Sequence, residues 1–368
     1  MLLTIRRDAL LKALLLTTGF VEKKQTMPIL SNVYIKKSGN QITIISNDME
    51  IQASITFSGE MTGEDFIITL PAKKLQDILK IFPDETDVVF KQDGNKITVK
   101  CGATKFTLQS MTADHYPLIR IADTAVCQFT VEQSILKSML GQIQYAMADK
   151  DSRVFLNGML FEIRNNQLRL IATDAHRLGY VTTPINEIVE NCNVIIPRKT
   201  IAELYKLLED SNDTITITIF PNQLSFETTG KQLITKIIEG KYPDYERVIP
   251  LGNDKLCLIK RLELLKAIER VGIIGIDKLK TVTFELLPNT LVLTCRNEEQ
   301  EDSRDEIEIT YQHDEQLKVC FNINYVRDLL INSQAENLQW AFFDGQRSVL
   351  VTTPNEPNFK AVIMPLRH

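Results

Sequence analysis

A short run of polar residues, Thr173 to Arg177, interrupts an apolar stretch that reads IATDAHRLGY from Ile171 to Tyr180. Asp174 and His176 carry side chains that can exchange protons, so an acid/base pair is one prediction for this place. A second prediction is a binding pocket whose rim these polar residues form. A third is an ordinary turn at a strand end, in which Asp174 caps backbone amides and Arg177 forms a surface ion pair. These residues alone leave all three predictions open.

The rest of the chain offers little to complete a catalytic site around Asp174 and His176. It contains no second cluster of His, Cys and Asp, no P-loop and no GxGxxG motif. Its six cysteines lie far apart without a CxxC spacing, which argues against a zinc site and against a disulfide framework. We therefore expect core thiols, no metal, no cofactor and no enzymatic activity.

The elements that must position these residues belong to a threefold repeat of about 126 residues. Each copy opens with a strand that runs into a helix: LTIRRDALLKAL from Leu3, FTVEQSILKSML from Phe129 and CLIKRLELLKAI from Cys257. A second helix opening follows in each copy, at Pro71, Pro197 and Asn322. Proline there predicts the first turn of a helix, where its missing amide costs nothing. Each copy closes on a strand followed by a proline: Pro117, Pro243 and Pro365.

Within each copy the pattern repeats once more, because strands that alternate around a turn follow every helix. Segments such as TITITI from Thr214 and KITVK from Lys96 alternate with period two, as half-buried antiparallel strands do. Each half-unit therefore predicts a strand, a helix and three strands. We predict an α+β protein of three similar domains, covering residues 1–124, 125–252 and 253–368.

Charge is distributed unevenly between the helices and the rest of the chain. The predicted helices carry 15 Lys and Arg against 8 Asp and Glu, although the whole chain has a net charge of −5. These helices are Arg6–Thr18, Ala72–Phe82, Val131–Tyr145, Pro197–Glu209, Ile259–Val271 and Ile323–Ser333. A basic surface of equivalent helices, backed by an acidic sheet, suits a phosphate backbone held without regard to sequence. The alternative is that these helices are rich in lysine only because lysine favours helix formation.

The first residues, MLLTIRRDALLKALLLTTG, form an apolar run that charged residues interrupt at Arg6, Arg7, Asp8 and Lys12. The run is too short and too charged for a signal peptide or a membrane helix. We therefore expect a cytoplasmic protein without a membrane partner.

Five long motifs in the same order show a resemblance that extends over essentially all 368 residues: TMPILSN from Thr26, DSRVFLNGM from Asp151, ATDAHRL from Ala172, YPDYERVIP from Tyr242 and MPLR from Met364. Through these motifs the chain resembles the DNA polymerase III beta subunit family, the bacterial sliding clamps. The resemblance implies a non-catalytic processivity factor with the DNA-clamp fold. Two chains would form a head-to-tail homodimer, a closed ring of six domains with helices lining the hole. The ring would encircle double-stranded DNA without sequence specificity.

The resemblance also implies that Thr173 to Leu178 belongs to a pocket for short hydrophobic peptides. The partners would be the DNA polymerase III alpha subunit, the clamp loader, and other polymerases and repair proteins. Carried over by position, the apolar side of the pocket is Leu156, Thr173, Ala175, Leu178, Pro243, Val248, Val362 and Met364. The polar and rim positions are Arg153, His176, Arg177, Arg247, Tyr325, Ser348, Pro365, Leu366 and Arg367.

Two further sets of positions follow from the resemblance. The expected DNA contacts are Lys24, Lys150, Arg153, Arg198 and Lys199. Each is also a plausible solvated surface charge. The expected dimer contacts are Phe106 and Leu108 against Ile273 and Ile274, with Lys74 and Lys105 facing Glu298 and Glu299. Surface ion pairs add only about 0–1 kcal/mol each, so we expect the apolar contacts to dominate.

Three residues depart from the family pattern: Ala175, where glycine is common, Leu366, where methionine is common, and Gln346, where an apolar residue is common. These departures bear on the shape of the pocket and on its preference among partners. The alternative function is a peptide-binding scaffold that keeps the pocket but never encircles DNA.

Overall fold

The structure is a computed structural model that describes residues 2–21, 27–275, 281–354 and 356–366. Six α-helices occur in these ranges: α1 (Arg7–Thr17), α2 (Ala72–Ile81), α3 (Gln133–Ile143), α4 (Arg198–Leu207), α5 (Arg261–Gly275) and α6 (Ile323–Asn332). A strand runs directly into each helix, and three main strands follow it. The predicted half-unit of strand, helix and three strands is therefore confirmed six times.

The strands follow the repeat. The first copy contains β1 (Leu3–Arg6), β2 (Asn32–Ser38), β3 (Gln41–Asn47), β4 (Ile51–Ser58), β5 (Met61–Thr62), β6 (Phe66–Pro71), β7 (Asp87–Asp93), β8 (Lys96–Cys101) and β9 (Thr104–Gln109). The second contains β10 (Cys127–Glu132), β11 (Gly158–Arg164), β12 (Gln167–Thr173), β13 (Arg177–Pro184), β14 (Cys192–Pro197), β15 (Thr214–Ile219), β16 (Gln223–Thr228) and β17 (Lys231–Lys236). The third contains β18 (Lys255–Lys260), β19 (Thr281–Leu287), β20 (Thr290–Arg296), β21 (Asp302–Glu308), β22 (Thr310–Tyr311), β23 (Leu317–Asn322), β24 (Asn337–Phe342), β25 (Val349–Thr353) and β26 (Glu356–Ile363).

The prolines at the helix openings lie directly before the helices and not in their first turns; α2 begins at Ala72 as predicted, and α4 begins at Arg198, one residue later than predicted. Pro71 ends β6 and is the N-cap residue of α2, and Pro197 ends β14 directly before α4. Neither lies in the first turn of its helix. Proline suits a strand end as well, because a residue without an amide hydrogen cannot continue the ladder of hydrogen bonds.

The two half-units of each copy exchange their first strands. β1 pairs with β7 of the second half-unit, and β6 pairs back with β2 of the first. The same exchange joins β10 to β15 and β14 to β11. It also joins β18 to β24 and β23 to β19. All these pairs are antiparallel, and each half-unit completes the sheet of the other.

Sheets also continue from one copy into the next. β17 pairs with β4 in an eight-stranded sheet, and β13 pairs with β26 in a nine-stranded sheet. The chain consequently divides into two compact units: Met1–Ser134 with Lys199–Ile237, and Ile135–Arg198 with Ile238–His368. We refer to these as unit 1 and unit 2. The second copy contributes to both.

Burial follows the alternation that predicted the strands. In β8, Ile97 and Val99 are fully buried, Thr98 between them is half-buried, and Lys96 and Lys100 on either side are exposed. In α2 the buried apolar residues recur every three or four positions, which gives the helix one face towards the sheet. None of the helices in the described ranges is long and apolar enough to cross a membrane.

None of the six cysteines, all within the described ranges, forms a disulfide, but only four of them are core residues. Cys127, Cys257, Cys295 and Cys320 are buried, and burial raises the pKa of the Cys257 thiol to about 12. Cys101 and Cys192 are only half-buried, so the prediction of core thiols is wrong for these two. Both lie at the end of a strand, where the sheet no longer covers them.

Candidate functional site

The turn between β12 and β13 is held by hydrogen bonds from its own side chains. Asp174 Oδ1 accepts from the backbone amides of His176 at 2.9 Å and Arg177 at 3.0 Å. The Thr173 hydroxyl accepts from the Ala175 amide at 3.1 Å and donates to the Arg177 carbonyl at 2.7 Å. The capping turn predicted for Asp174 is confirmed. Arg177 is not a surface residue as that prediction assumed, because its side chain is only 12% exposed.

Ala175 occupies the left-handed region of the backbone, with φ of 75°. A side chain there is crowded by the following carbonyl, at a cost of about 1–2 kcal/mol that glycine does not incur. This conformation explains why glycine suits the position, and why the alanine of this chain is a strained choice at a site that other contacts hold in place.

We expect Ala175→Gly to raise the free energy of unfolding by about 0.5–1 kcal/mol, because removal of the Cβ relieves more strain than the added chain entropy costs. Urea denaturation of the variant and the parent measures the difference. Ala202→Gly in α4 is the matched control and should lower the stability by about 1 kcal/mol. A loss of stability in both variants would contradict the assignment of strain.

A cavity of about 230 Å³ lies beside this turn, entirely within unit 2. Its walls come from four separate stretches of the chain: Arg153, Phe155, Leu156, Thr173, Ala175, Arg177, Leu178, Pro243, Tyr245, Val248, Val362 and Met364. All eight positions expected on the apolar side are among them, together with Arg153 and Arg177. Sequence reasoning missed Phe155 and Tyr245, although both lie inside the motifs DSRVFLNGM and YPDYERVIP.

Strand register brings these distant stretches together. Leu178 of β13 faces Val362 of β26, and one step further the Met364 amide donates to the His176 carbonyl at 2.9 Å. The stretch after Tyr242 is fixed where the Tyr242 hydroxyl donates to the Ile171 carbonyl at 3.3 Å. Burial raises the pKa of Tyr242 above its ordinary value, so this hydroxyl remains a donor. An apolar floor with a few fixed polar groups is typical of sites that bind extended peptides.

Six of the expected rim residues do not line this cavity: His176, Arg247, Tyr325, Ser348, Pro365 and Leu366. His176 and Tyr325 stack on each other with ring centroids 6.3 Å apart. The Arg247 side chain is 87% exposed and pairs with Asp244 at 2.9 Å. Leu366 donates its amide to the Cys320 carbonyl at 2.8 Å. Arg367 lies outside the described residues.

Arg153, at the edge of the cavity, is held by a single carboxylate. Arg153 forms a bidentate ion pair with Asp151: its Nε donates to Oδ1 at 3.0 Å and its Nη2 to Oδ2 at 2.9 Å. The side-chain hydrogen bond from Arg153 is the main reason that the pKa of the Asp151 carboxyl falls to about 2. The Arg153 side chain remains 48% exposed, so it can still meet an incoming ligand.

The expected DNA contacts have varied surroundings. Lys150 is exposed, but Arg198 is half-buried and its Nη1 donates to the carbonyls of Met147 at 2.7 Å and Ala148 at 3.3 Å. Lys199 forms an ion pair with Asp48 and lies over the Phe20 ring at 5.7 Å. Lys24 lies outside the described residues. Arg198 and Lys199 therefore have structural contacts as well as charge.

The uneven charge persists over the observed helix bounds. The six helices of the described ranges carry 13 Lys and Arg against 6 Asp and Glu, within a chain whose net charge is −5. Lys12 and Lys266, which occupy equivalent positions in the repeat, are both exposed. The helices are thus the basic part of an acidic protein.

The expected dimer contacts lie at two sheet ends. In unit 1, β9 is the outer strand of a five-stranded sheet, and Phe106 on it is half-buried, 6.0 Å from the Phe82 ring. Leu108 is already buried within the chain, at 7% exposure. Lys74 and Lys105 are exposed. Sequence reasoning missed Ile81, which ends α2 beside Phe82 and is 68% exposed.

In unit 2, β21 is the outer strand of a four-stranded sheet. Ile273, near the end of α5, is 73% exposed, whereas Ile274 is half-buried. Glu298 and Glu299 are exposed in the loop before β21. A single strand edge with an exposed isoleucine nearby is a surface that a second chain can cover.

No group of three or more His, Cys, Asp and Glu in the described ranges is arranged to hold a metal ion. The site is instead an apolar cavity with arginines at its edge, in a protein of six strand–helix–three-strand units. This combination indicates the class of DNA clamps.

Comparison with known proteins specifies the family. Residues 1–120, 130–244 and 246–367 match the N-terminal, central and C-terminal domains of the DNA polymerase III beta subunit. The beta sliding clamps of Pseudomonas putida and Escherichia coli K12 are 35% and 30% identical to this chain, with 99% of both chains covered in each comparison. The chain therefore belongs to the DNA polymerase III beta subunit family, the beta sliding clamps.

Solved structures agree in fold over the whole length. The Pseudomonas aeruginosa sliding clamp bound to griselimycin has a TM-score of 0.94 at 33% identity, with 99% of both chains covered. The Caulobacter crescentus sliding clamp has a TM-score of 0.87 at 30% identity, covering 100% of this chain and 99% of the other.

Proposed function

We propose that this chain acts as a homodimeric DNA sliding clamp that tethers DNA polymerase III and other replication and repair proteins through the cavity beside Thr173. The observation that carries the proposal is the full-length match in fold and family across all three domains. The domains would cover residues 1–124, 125–252 and 253–368. The clamp itself would be non-catalytic and would work in the cytoplasm, where bacterial DNA is replicated.

The peptide-binding role rests on the chemistry of the cavity. Its floor is apolar, with Leu156, Leu178 and Val362 almost fully buried. Such a floor supplies affinity for hydrophobic side chains, while Arg153 at the edge can orient a peptide backbone or carboxylate. The P. aeruginosa clamp that binds griselimycin supports a ligand site on this fold.

An acidic protein with basic helices would hold DNA weakly through contact alone. Exposed charges are screened over about 8 Å at physiological ionic strength, so electrostatic contacts release readily as salt rises. Weak contact permits sliding, because tight phosphate contacts or hydrogen bonds to bases would hold the protein at one position. Retention on DNA must then come from the closed ring.

We expect clamp loaded onto nicked circular DNA to survive a wash in high salt and to leave promptly once the circle is cut. Gel filtration of the labelled protein with the DNA, before and after linearisation, measures retention. Equal retention on circular and linear DNA, or a steep loss from the circle with salt, would favour the scaffold that never encircles DNA.

Combined substitution of Lys24, Arg198 and Lys199 tests, in the same assay, whether electrostatic contact or the closed ring retains the clamp on DNA. We expect weaker direct DNA binding and slower loading, with retention on the circle largely preserved. Arg198 also binds backbone carbonyls, so its replacement by glutamine should be checked by thermal melting.

A further inference from the structure

Arg177 connects the cavity wall to helix α6 through an unusually complete set of contacts. Its Nε donates to Asp174 Oδ2 at 3.0 Å, its Nη1 to Asp328 Oδ2 at 2.7 Å, and its Nη2 to the Tyr145 carbonyl at 2.7 Å. The guanidinium also lies over two rings, 5.2 Å from the Tyr145 centroid and 4.5 Å from that of Tyr325. Every nitrogen of this side chain therefore has a partner, which restricts it to one orientation.

These contacts reach the cavity through the turn that Arg177 ends. Asp174 binds the Arg177 side chain with one oxygen and the amides of His176 and Arg177 with the other. The same turn presents Thr173 and Ala175 to the cavity. Its His176 carbonyl accepts the hydrogen bond that places Met364. A shift of the Arg177 guanidinium would therefore move two walls of the cavity at once.

Asp328 lies outside the cavity, as do the other partners of the Arg177 side chain, Asp174, Tyr145 and Tyr325. It belongs to α6, and its side chain is 31% exposed. It does not line the cavity, and its carboxylate is the acceptor that α6 provides for Arg177. A ligand in the cavity would meet Arg177 without meeting Asp328.

Unit 1 contains the equivalent positions with different residues. The turn after β3 has the same backbone, with Met49 at φ of 75° and Asp48 Oδ1 accepting from the amides of Glu50 and Ile51. By the repeat, however, Ile51 stands where unit 2 has Arg177. Asp48 pairs instead with Lys199.

The remaining counterparts in unit 1 also differ. Glu203 stands at the position of Asp328, and its Oε2 is buried without a hydrogen-bond partner among the described residues. The Asn47 side-chain amide donates to the Pro117 carbonyl, and Gln52 Oε1 accepts from the Ile119 amide at 2.8 Å. Without an arginine, the equivalent turn is tied to the chain's own Pro117–Ile119 segment.

We infer that Asp328 is a positioning residue for the peptide pocket: by holding Arg177 against α6, it keeps the Thr173–Leu178 wall in the shape that admits a ligand. The inference rests on the proposed function, since it assumes that this cavity is the peptide site. Through this contact a residue of the third copy, Asp328, would influence how tightly the pocket wall in the second copy binds a ligand.

The test is the affinity of Asp328→Asn for two probes: griselimycin, and a fluorescein-labelled peptide from the DNA polymerase III alpha subunit. We expect affinity to fall about three- to fivefold, the upper end of the range for one ion pair near the surface, with the melting temperature nearly unchanged. Hydrogen exchange of the segment 173–178 should become faster, since the turn loses its outer support.

Two variants show whether Asp328 acts through Arg177. In an Arg177→Ala background, Asp328→Asn should change affinity less than about twofold, because the contact is already lost. Asp305→Asn is the matched control: Asp305 pairs with Arg270 at 2.5 Å and is 24% exposed, in the same unit but outside the cavity. It should leave the affinity unchanged.

Wild-type affinity in Asp328→Asn, or the same loss with and without Arg177, would overturn the inference. If Asp328→Asn lowers the melting temperature, Asp328→Ser replaces it and the same comparison applies. Met364→Ala distinguishes a failure of the positioning role from a failure of the pocket assignment. If it weakens binding while Asp328→Asn does not, only the positioning role fails; if neither variant weakens binding, the pocket assignment fails.

Discussion

Replacement of both Ile273 and Ile274 by aspartate is expected to convert the dimer into folded monomers. Ile273 is 73% exposed in the single chain, near the end of α5 and beside the outer strand β21. If the β9 edge of a second chain covers this surface, each aspartate would be buried without a partner of opposite charge. A combined cost of about 4 kcal/mol would weaken the dimer about a thousandfold. Sedimentation velocity over a range of protein concentrations measures the change.

Leu262→Asp is the control for this double substitution. Leu262 lies on the same helix and is 54% exposed, but it is near the opposite end of α5. We expect this variant to remain a dimer with an unchanged circular dichroism spectrum. A dimer that persists in the Ile273, Ile274 variant would place the interface elsewhere on the chain.

The monomeric variant also separates the two activities of the clamp. The cavity lies entirely within unit 2 of one chain, so a monomer should still bind the labelled peptide. It should nevertheless fail to remain on circular DNA, because an open chain cannot encircle a duplex. Retained peptide binding with lost retention on DNA would show that the pocket does not depend on the ring.

Deletion of residues 364–368 is expected to abolish peptide binding while the dimer remains intact. Met364 lines the cavity and is placed by the hydrogen bond from its amide to the His176 carbonyl. Loss of such an apolar anchor costs about 2–4 kcal/mol at an interface hot spot, which is roughly a thirtyfold to several-hundredfold loss of affinity. Fluorescence polarisation of the labelled peptide, with sedimentation of the same sample, measures both properties.

Single substitutions rank the contributions within this pocket. Met364→Ala should weaken binding most, because its side chain forms part of the cavity wall. His176→Ala and Leu366→Ala should weaken binding less, since neither residue lines the cavity in the absence of a ligand. Unchanged affinity after the deletion would contradict the assignment of the pocket, whatever the single variants do.

Much of the fold could be predicted from the sequence because repetition makes local signals reinforce one another. Alternation of apolar residues identified the strands, and the equivalent positions of Pro71, Pro197 and Asn322 identified the second helix of each copy. Proline was expected in the first turn of these helices, but Pro71 and Pro197 end the preceding strands, since a proline suits the end of a strand as well as the start of a helix. Such boundary errors leave the order of elements unchanged.

The apolar side of the pocket was also predicted, through motifs that resemble those of a known family. Those motifs contained Phe155 and Tyr245, but nothing in the local pattern distinguished the side chain that faces a cavity from its neighbour that faces the core. Only the tertiary structure decides that, because both residues lie in short 3-10 helices, Val154–Asn157 and Tyr245–Arg247, whose packing in the fold turns these side chains towards the cavity.

The sequence by itself determined the repeat, the six half-units, the positive charge of the helices and the family to which the chain belongs. Only the tertiary structure decided that the half-units exchange their first strands, because antiparallel pairing depends on which edges meet in space. It also decided the contacts of Arg177, which the sequence offered as a surface ion pair or a rim residue. Asp328 is 151 residues away along the chain. A contact of that kind has no local signal, since it exists only once the β12–β13 turn, helix α6 and the segment around Tyr145 have packed around the same guanidinium.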